Sequence, residues 1–225
     1  MNKLNHVAFI MDGNGRWGKK RNKGRNYGHL QGVKTVQKVV KFSIKFKIPI
    51  ITFYVFSTEN WKRPKSEVNF LFKLISSYFK SEINNVQKNN IKINIFGKSA
   101  RLPKGVKETL NKTAKQTKNN KKLIINLALN YGSKNEIIES LKQINRKKGK
   151  ISQSEITKNL YTKNMPNPDI LIRTGGQKRL SNFMLWQLAY AELYFLDKLW
   201  PDFNERDLKK IIKNFSKIKR NFGNI

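Results

Sequence analysis

Cysteine is absent from the 225 residues, and histidine occurs only twice, as His6 and His29. The first absence excludes disulfides, thiolate nucleophiles and cysteine-bound zinc or iron–sulfur centres. The second leaves too few imidazoles for a multi-histidine metal site. Acids are scarce as well, 14 against 47 lysines and arginines, for a formal charge of +33. A carboxylate at the end of an apolar run therefore stands out. No window holds the roughly 18 apolar residues of a membrane span. Residues 1–6 lack the apolar stretch of a signal peptide, so a cytoplasmic protein is expected. The nucleotide-binding pattern GxxxxGK[ST] is missing, as are a nucleophile elbow and a Ser–His–Asp order. With no activated nucleophile on offer, transfer between two bound substrates is favoured over covalent catalysis. Internal repeats and low-complexity insertions are also absent.

Hydrophobic residues make up 38% of the chain and aromatics 11%, enough to fill one core, so a single domain over residues 1–225 is expected. The charge by itself suits nucleic acid, an anionic membrane surface or anionic substrates. The lysines, however, are spread through nearly every segment among many Asn and Ile, which fits solvated helix faces better than one binding stripe.

Residues 7–11 are a continuous apolar run, the pattern of a strand buried on both faces of a parallel sheet. Asp12 follows, then Gly13, Asn14, Gly15 and Arg16. Glycines let the backbone turn tightly and approach a ligand, while free N–H groups and an arginine meet an anion. An acid beside a phosphate cradle makes sense with a divalent cation between them. Taken alone, the stretch is equally a glycine turn with an exposed acid.

Residues 19–26 read as a basic, aperiodic and mobile connection. A helix over 28–46, a second strand over 50–56, a Ser66-capped helix to about 90, a strand over 91–96, a helix over 103–117 and a strand over 122–129 follow. Further on come a helix over 133–147, a short helix begun by a capping box at Ser152 and Glu155, and a strand over 169–173. An apolar helix over 183–191, a short strand over 192–196 and a terminal helix over 202–222 complete the chain. Alternating strands and helices predict an α/β fold, a mostly parallel sheet of about six strands with helices on both faces.

In such a sheet three polar strand ends share one edge: Asp12 to Arg16; Ser57, Thr58, Glu59, Asn60, Trp61 and Arg63; and Arg173 with Arg179, Leu180 and Ser181. Arginines, glycine loops and acids around one cleft suit a polyanion with a metal, most simply a diphosphate ester.

These blocks, with residues 6–17, 56–64, 169–176 and 179–201 in order over nearly the whole chain, resemble the signatures of the cis-prenyltransferases, in their bacterial undecaprenyl diphosphate synthase branch. The resemblance implies repeated Z-selective addition of isopentenyl diphosphate to an allylic starter, usually farnesyl diphosphate. The product implied is a polyprenyl diphosphate, the lipid carrier for cell-wall synthesis. Asp12 then matches a catalytic, Mg2+-binding acid, and Gly13, Asn14, Gly15 and Arg16 the diphosphate loop. Trp17, Arg25 and His29 match further substrate contacts. Ser57, Thr58 and Glu59 fall in a second binding segment, with Trp61 and Arg63 as contacts and Asn60 as the assigned proton acceptor. Arg173, Arg179, Leu180 and Ser181 match the isopentenyl diphosphate site, and Glu192 the second Mg2+ carboxylate. A homodimer is implied too, as is an apolar tunnel beside the helices over 28–46 and 66–90. Without the resemblance, core packing explains their stripes.

Two positions depart from the family pattern. Gln177 and Lys178 stand where many relatives carry an acid followed by His or Gln, and Asn221 replaces the second arginine of an Arg-Arg-Phe-Gly tail. A non-catalytic partner subunit would have lost Asp12, Asn60, Arg173 and Glu192. A nucleic-acid binder would not need acids at strand ends, and no nucleic-acid partner is expected. The charge leaves peripheral attachment at the inner face of an anionic membrane open.

Overall fold

Six segments become strands: β1 (His6–Ile10), β2 (Ile50–Ser57), β3 (Ile91–Phe96), β4 (Leu123–Tyr131), β5 (Ile170–Arg173) and β6 (Glu192–Phe195). Of these, β1, β2, β4 and β5 are mainly apolar runs buried on both sides, whereas β3 and β6 are the partly exposed edges. This computed structural model describes residues 2–220. The strands form one sheet in the order β3-β4-β2-β1-β5-β6, parallel at every pairing. Parallel neighbours need crossovers, which helices supply except between β5 and β6, where turns make the connection. α1 (Asn14–Lys19) and α2 (Gly24–Lys45) join β1 to β2, α3 (Lys65–Lys88) joins β2 to β3, and α4 (Lys104–Gln116) joins β3 to β4. α5 (Ser133–Arg146) and α6 (Gln153–Lys158) lead to β5, and α7 (Glu205–Phe215) follows β6.

The larger core lies on one face, where Val7, Phe9, Phe53 and Leu127 of the sheet meet Val39 of α2, Phe72 and Phe79 of α3, Leu110 of α4 and Ile211 of α7. Trp200 and Phe203 stack there with ring centroids 5.6 Å apart, edge-on to Phe9. The opposite face buries Ala8, Ala128, Leu171, Phe183 and Met184. It also carries a polar rung across four strands. His6 Nε2 lies 2.7 Å from Thr52 Oγ1, Asn126 Nδ2 donates to the same hydroxyl at 2.9 Å, and Asn94 Nδ2 donates to Asn126 Oδ1 at 2.9 Å.

Four expectations are corrected. Residues 19–26 are not an aperiodic connection: α1 ends at Lys19, and α2 starts at Gly24, four residues early. The reason is backbone packing of α1 on α2. A Cβ at Gly28 would lie 1.8 Å from the Asn14 carbonyl oxygen. Pro64, not Ser66, occupies the cap position of α3, and no side chain caps it. Residues 183–191 form turns instead of a helix; Ser181, Asn182 and Met184 have φ of +49°, +62° and +46°, which breaks helical continuity. Finally, α7 covers only Glu205–Phe215, with Asn204 Oδ1 accepting from Arg206 and Asp207 N–H groups at 3.0 and 3.3 Å.

Candidate active site

Strand order reverses about β1, which lies between β2 and β5, and in open α/β sheets a crevice forms outside the strand ends at such a point. Here a cavity of about 510 Å³ opens at the carboxyl ends of β1, β2 and β5 and runs between the sheet, α2 and α3. Its mouth is polar and its depth is lined by Val33, Val36, Phe53, Leu71, Ile75, Tyr78 and Phe79. A further cavity of about 310 Å³ shares Val36, Tyr78, Phe79 and Leu127 with it.

The β1 turn is built for close approach. Gly13 has φ +111°, and a side chain there would also meet Leu199 at 2.7 Å. Asp12 is fixed through its main chain, its carbonyl accepting from Thr174 Oγ1 at 2.8 Å and Trp200 N at 3.0 Å. The buried Trp200 indole is itself tied to α2 by a 2.9 Å bond from Nε1 to Gly32 O. The Asp12 carboxylate receives Arg16 Nη2 on Oδ1 and Arg173 Nη2 on Oδ2, both at 3.0 Å. Arg173 is 4% exposed and also donates from Nη1 to Ser181 Oγ at 2.8 Å and to the Arg179 carbonyl. Its Nε is buried without a partner, as is Asn14 Oδ1.

A second hub was missed from the sequence. Glu67, 6% exposed on the first turn of α3, receives Arg25 Nε and Nη2 at 2.8 and 3.0 Å, His29 Nε2 at 3.1 Å and Arg63 Nη1 at 3.2 Å. Burial would raise its carboxyl, but the hydrogen bonds of Arg25 and His29 and the charges of Arg25 and Arg63 outweigh that and hold it at about 2. Burial lowers Arg63 and His29, so the imidazole is mostly neutral at pH 7. Arg63 precedes the helix, beyond its Pro64 cap, so no helical spacing linked it to Glu67 in the sequence.

Asp12, Gly13, Asn14, Gly15, Arg16, Arg25, His29, Ser57, Asn60, Arg63, Arg173 and Ser181 all line the cavity. The remaining candidates stand outside its lining. Trp17 stacks on Tyr27 under Arg21 and donates from Nε1 to Asp202 at 2.7 Å. Trp61 packs on Phe56 and Phe72 and donates to Asn130 Oδ1 at 2.8 Å. Leu180 packs into the opposite core, Arg179 projects to solvent beside Gln177, and Thr58 donates to Glu59. Glu192 pairs with Ile170, which aligns with Val7, so it begins β6 at the far edge of the sheet. Three residues of strand, about 10 Å, separate that level from the Ile10 end of β1, and Asp12 lies past a further turn at that end, so Glu192 stands at the opposite end of the strands from Asp12. Asn221 lies outside the described residues.

Among the described residues no three His, Cys, Asp or Glu side chains cluster as a metal cage. A single Asp12 carboxylate at the mouth does suit Mg2+, which binds through one or two carboxylates together with substrate phosphates and water.

The model of the undecaprenyl diphosphate synthase family of prenyltransferases matches residues 10–223. The chain belongs to that family. An isoprenyl transferase of Fusobacterium nucleatum is 43% identical over 98% of this chain and 96% of its own length. A Buchnera aphidicola relative is 46% identical over 99% of this chain and 92% of its own length; it is named a ditrans,polycis-undecaprenyl-diphosphate synthase specific for (2E,6E)-farnesyl diphosphate. The crystal structure of lavandulyl diphosphate synthase from Lavandula x intermedia, in complex with dimethylallyl diphosphate, superposes with a TM-score of 0.93 at 31% identity, covering 97% and 98% of the two chains. Membership makes this protein a prenyltransferase with the all-parallel six-stranded α/β fold of its relatives.

Proposed function

We propose that the protein elongates farnesyl diphosphate with isopentenyl diphosphate in Z geometry to a polyprenyl diphosphate of undecaprenyl length. The carrying observation is the cavity itself, four arginines at the mouth of an apolar pouch, which suits an amphiphile with a diphosphate head and a hydrocarbon tail. Gly13, Asn14, Gly15 and Arg16 hold the allylic diphosphate, while Arg25 and Arg63 add charge under the orientation set by Glu67. Arg173 and Ser181, with Arg179 nearby, hold isopentenyl diphosphate. Asp12 would hold Mg2+, which would supply positive charge to neutralise the departing diphosphate. Arg16 and Arg173 stabilise that same charge as the allylic C–O bond breaks. The isopentenyl double bond then captures the allylic carbon and a proton leaves. Asn60 is no base, and its Oδ1 already accepts from Ser57 N at 3.1 Å; it orients the substrates, and a diphosphate oxygen takes the proton. The growing chain fills the pouch between α2 and α3.

Glu192 requires a second copy of the chain if it is to meet the ion, which agrees with a homodimer. The exposed basic turn at Lys19, Lys20, Arg21 and Lys23 suits contact with an anionic membrane surface. Incubation with farnesyl diphosphate, isopentenyl diphosphate and Mg2+ followed by chromatographic sizing tests the reading. Products longer than farnesyl diphosphate support it, and an output equal to that of an EDTA control refutes it.

A further inference from the structure

The loop after β5 approaches the cavity in an unusual backbone state. Ser181, Asn182 and Met184 adopt left-handed φ angles of +49°, +62° and +46°, a region that asparagine tolerates and serine and methionine rarely enter. Something must hold it there. Ser181 is anchored from the sheet side, its hydroxyl by Arg173 at 2.8 Å and its carbonyl by the Tyr54 hydroxyl at 3.3 Å. Asn182 reaches the other way, to two different strand ends. Its Nδ2 donates to Glu59 Oε1 at 2.9 Å in the turn after β2. Its Oδ1 accepts from Lys134 N at 2.9 Å and its carbonyl from Ser133 N at 2.8 Å, at the start of α5 after β4. Gly132 makes room for this meeting: a Cβ there would lie 2.7 Å from Asn182 Nδ2 and 2.8 Å from Thr58 Oγ1. The bond to Glu59 is charge-assisted, since hydrogen bonds led by that of Asn182 outweigh burial and lower the Glu59 carboxyl.

We propose that Asn182 is a positioning residue that fixes the Ser181 side of the cavity against the Ser57 to Asn60 side, and so sets the placement of isopentenyl diphosphate relative to the allylic carbon. This rests on the reading of the two subsites given above. The hydrogen bonds of Asn182 go to Glu59, Ser133 and Lys134 and not to the Asp12 to Arg16 loop that holds the starter. Its loss therefore falls on one substrate. Misplacement by a fraction of an ångström suffices, because rates of reaction between bound partners fall steeply with displacement.

The test uses Asn182→Gly, which keeps the left-handed backbone and deletes the side-chain bonds, and Asn182→Asp, which keeps the shape but sets a carboxylate against Glu59. Thermal midpoints and steady-state kinetics are measured with each substrate varied in turn. In both variants kcat/KM for isopentenyl diphosphate should fall about tenfold to a hundredfold, the equivalent of one charge-assisted hydrogen bond, with KM for farnesyl diphosphate within about twofold of the wild type. The aspartate variant should be the worse of the two. Unchanged kinetics in both variants would overturn the proposal. So would an equal rise in both KM values accompanied by a fall in the thermal midpoint, which marks a merely structural residue. Absence of turnover in the wild-type protein would instead refute the assignment of substrates.

Discussion

Replacing Glu67 by Gln keeps the side chain's shape and removes the charge on which Arg25, His29 and Arg63 converge. Breaking a buried ion pair from one side costs about 3–5 kcal/mol. The cost here falls to about 2–3 kcal/mol, because Arg25 and Arg63 are 42% and 35% exposed and recover some hydration. For a domain of this size that is a fall of roughly 5–10 °C in Tm. The sign of the pH dependence follows from the depressed carboxyl. Its stabilisation is fully present above its ordinary 4.5 and is lost as pH falls through about 2, so wild type and variant should converge in acid. The arginines left without a counter-charge attract anions, so inorganic pyrophosphate should raise the variant's Tm more than that of the wild type. Circular dichroism melts with and without pyrophosphate measure all three effects. A variant that melts with the wild type at pH 7 and gains the same increment from pyrophosphate would refute the hub.

Asp12→Ala should lose at least ~10²-fold in kcat, typical for removal of one key electrostatic group, and excess EDTA should abolish wild-type turnover; full activity in EDTA would contradict both. Ile75→Trp places bulk in the cavity wall of α3, where each buried CH₂ of a growing chain gains ~0.8 kcal/mol. Chromatography should show shorter prenyl diphosphates while the first condensation proceeds, and an unchanged product in the folded variant would remove α3 from the chain's path. Burial lowers His6 from 6.5 to about 4, so the unfolded chain binds the extra proton. Stability should therefore drop by roughly 3 kcal/mol as pH falls from 6.5 to 4, and denaturant titrations of His6→Asn should lack that share of the slope.

The strands were legible because four of them, β1, β2, β4 and β5, are mainly apolar runs that need burial on both faces, and β3 was bounded to the residue. The three strand ends were legible because a parallel sheet puts them on one edge. Residues 183–191 misled for a physical reason: Phe183, Met184 and Leu188 are buried as a core helix would be, yet the backbone is held in turns, Ser133 Oγ accepting from Leu185 N at 2.9 Å. Apolar content reports burial, whereas the partners of the backbone decide conformation. Glu67 was illegible as a hub because an acid in a helix's first turn is explained by the helix dipole alone. Arg25 and His29 are 42 and 38 residues away along the chain, and only the fold brings them. Trp17 and Glu192 show the converse, since a motif gives the residue type but not the direction in which its strand or helix carries it.

The polar rung of His6, Thr52, Asn126 and Asn94 bears on how the chain finds its fold. β4 enters between β2 and β3, both of which are synthesised before it. The apolar residues of β2 and β3 on either side would accept β4 slipped by one or two residues at little cost in burial. A slip of one turns Asn126 into the wrong core, and a slip of two leaves it opposite Ile50 or Tyr54 with its amide unpaired, a penalty of about 1–3 kcal/mol for each stranded polar group. The rung thus ties β4 to one register, setting an energetic penalty on misaligned pairings that apolar side chains alone would tolerate.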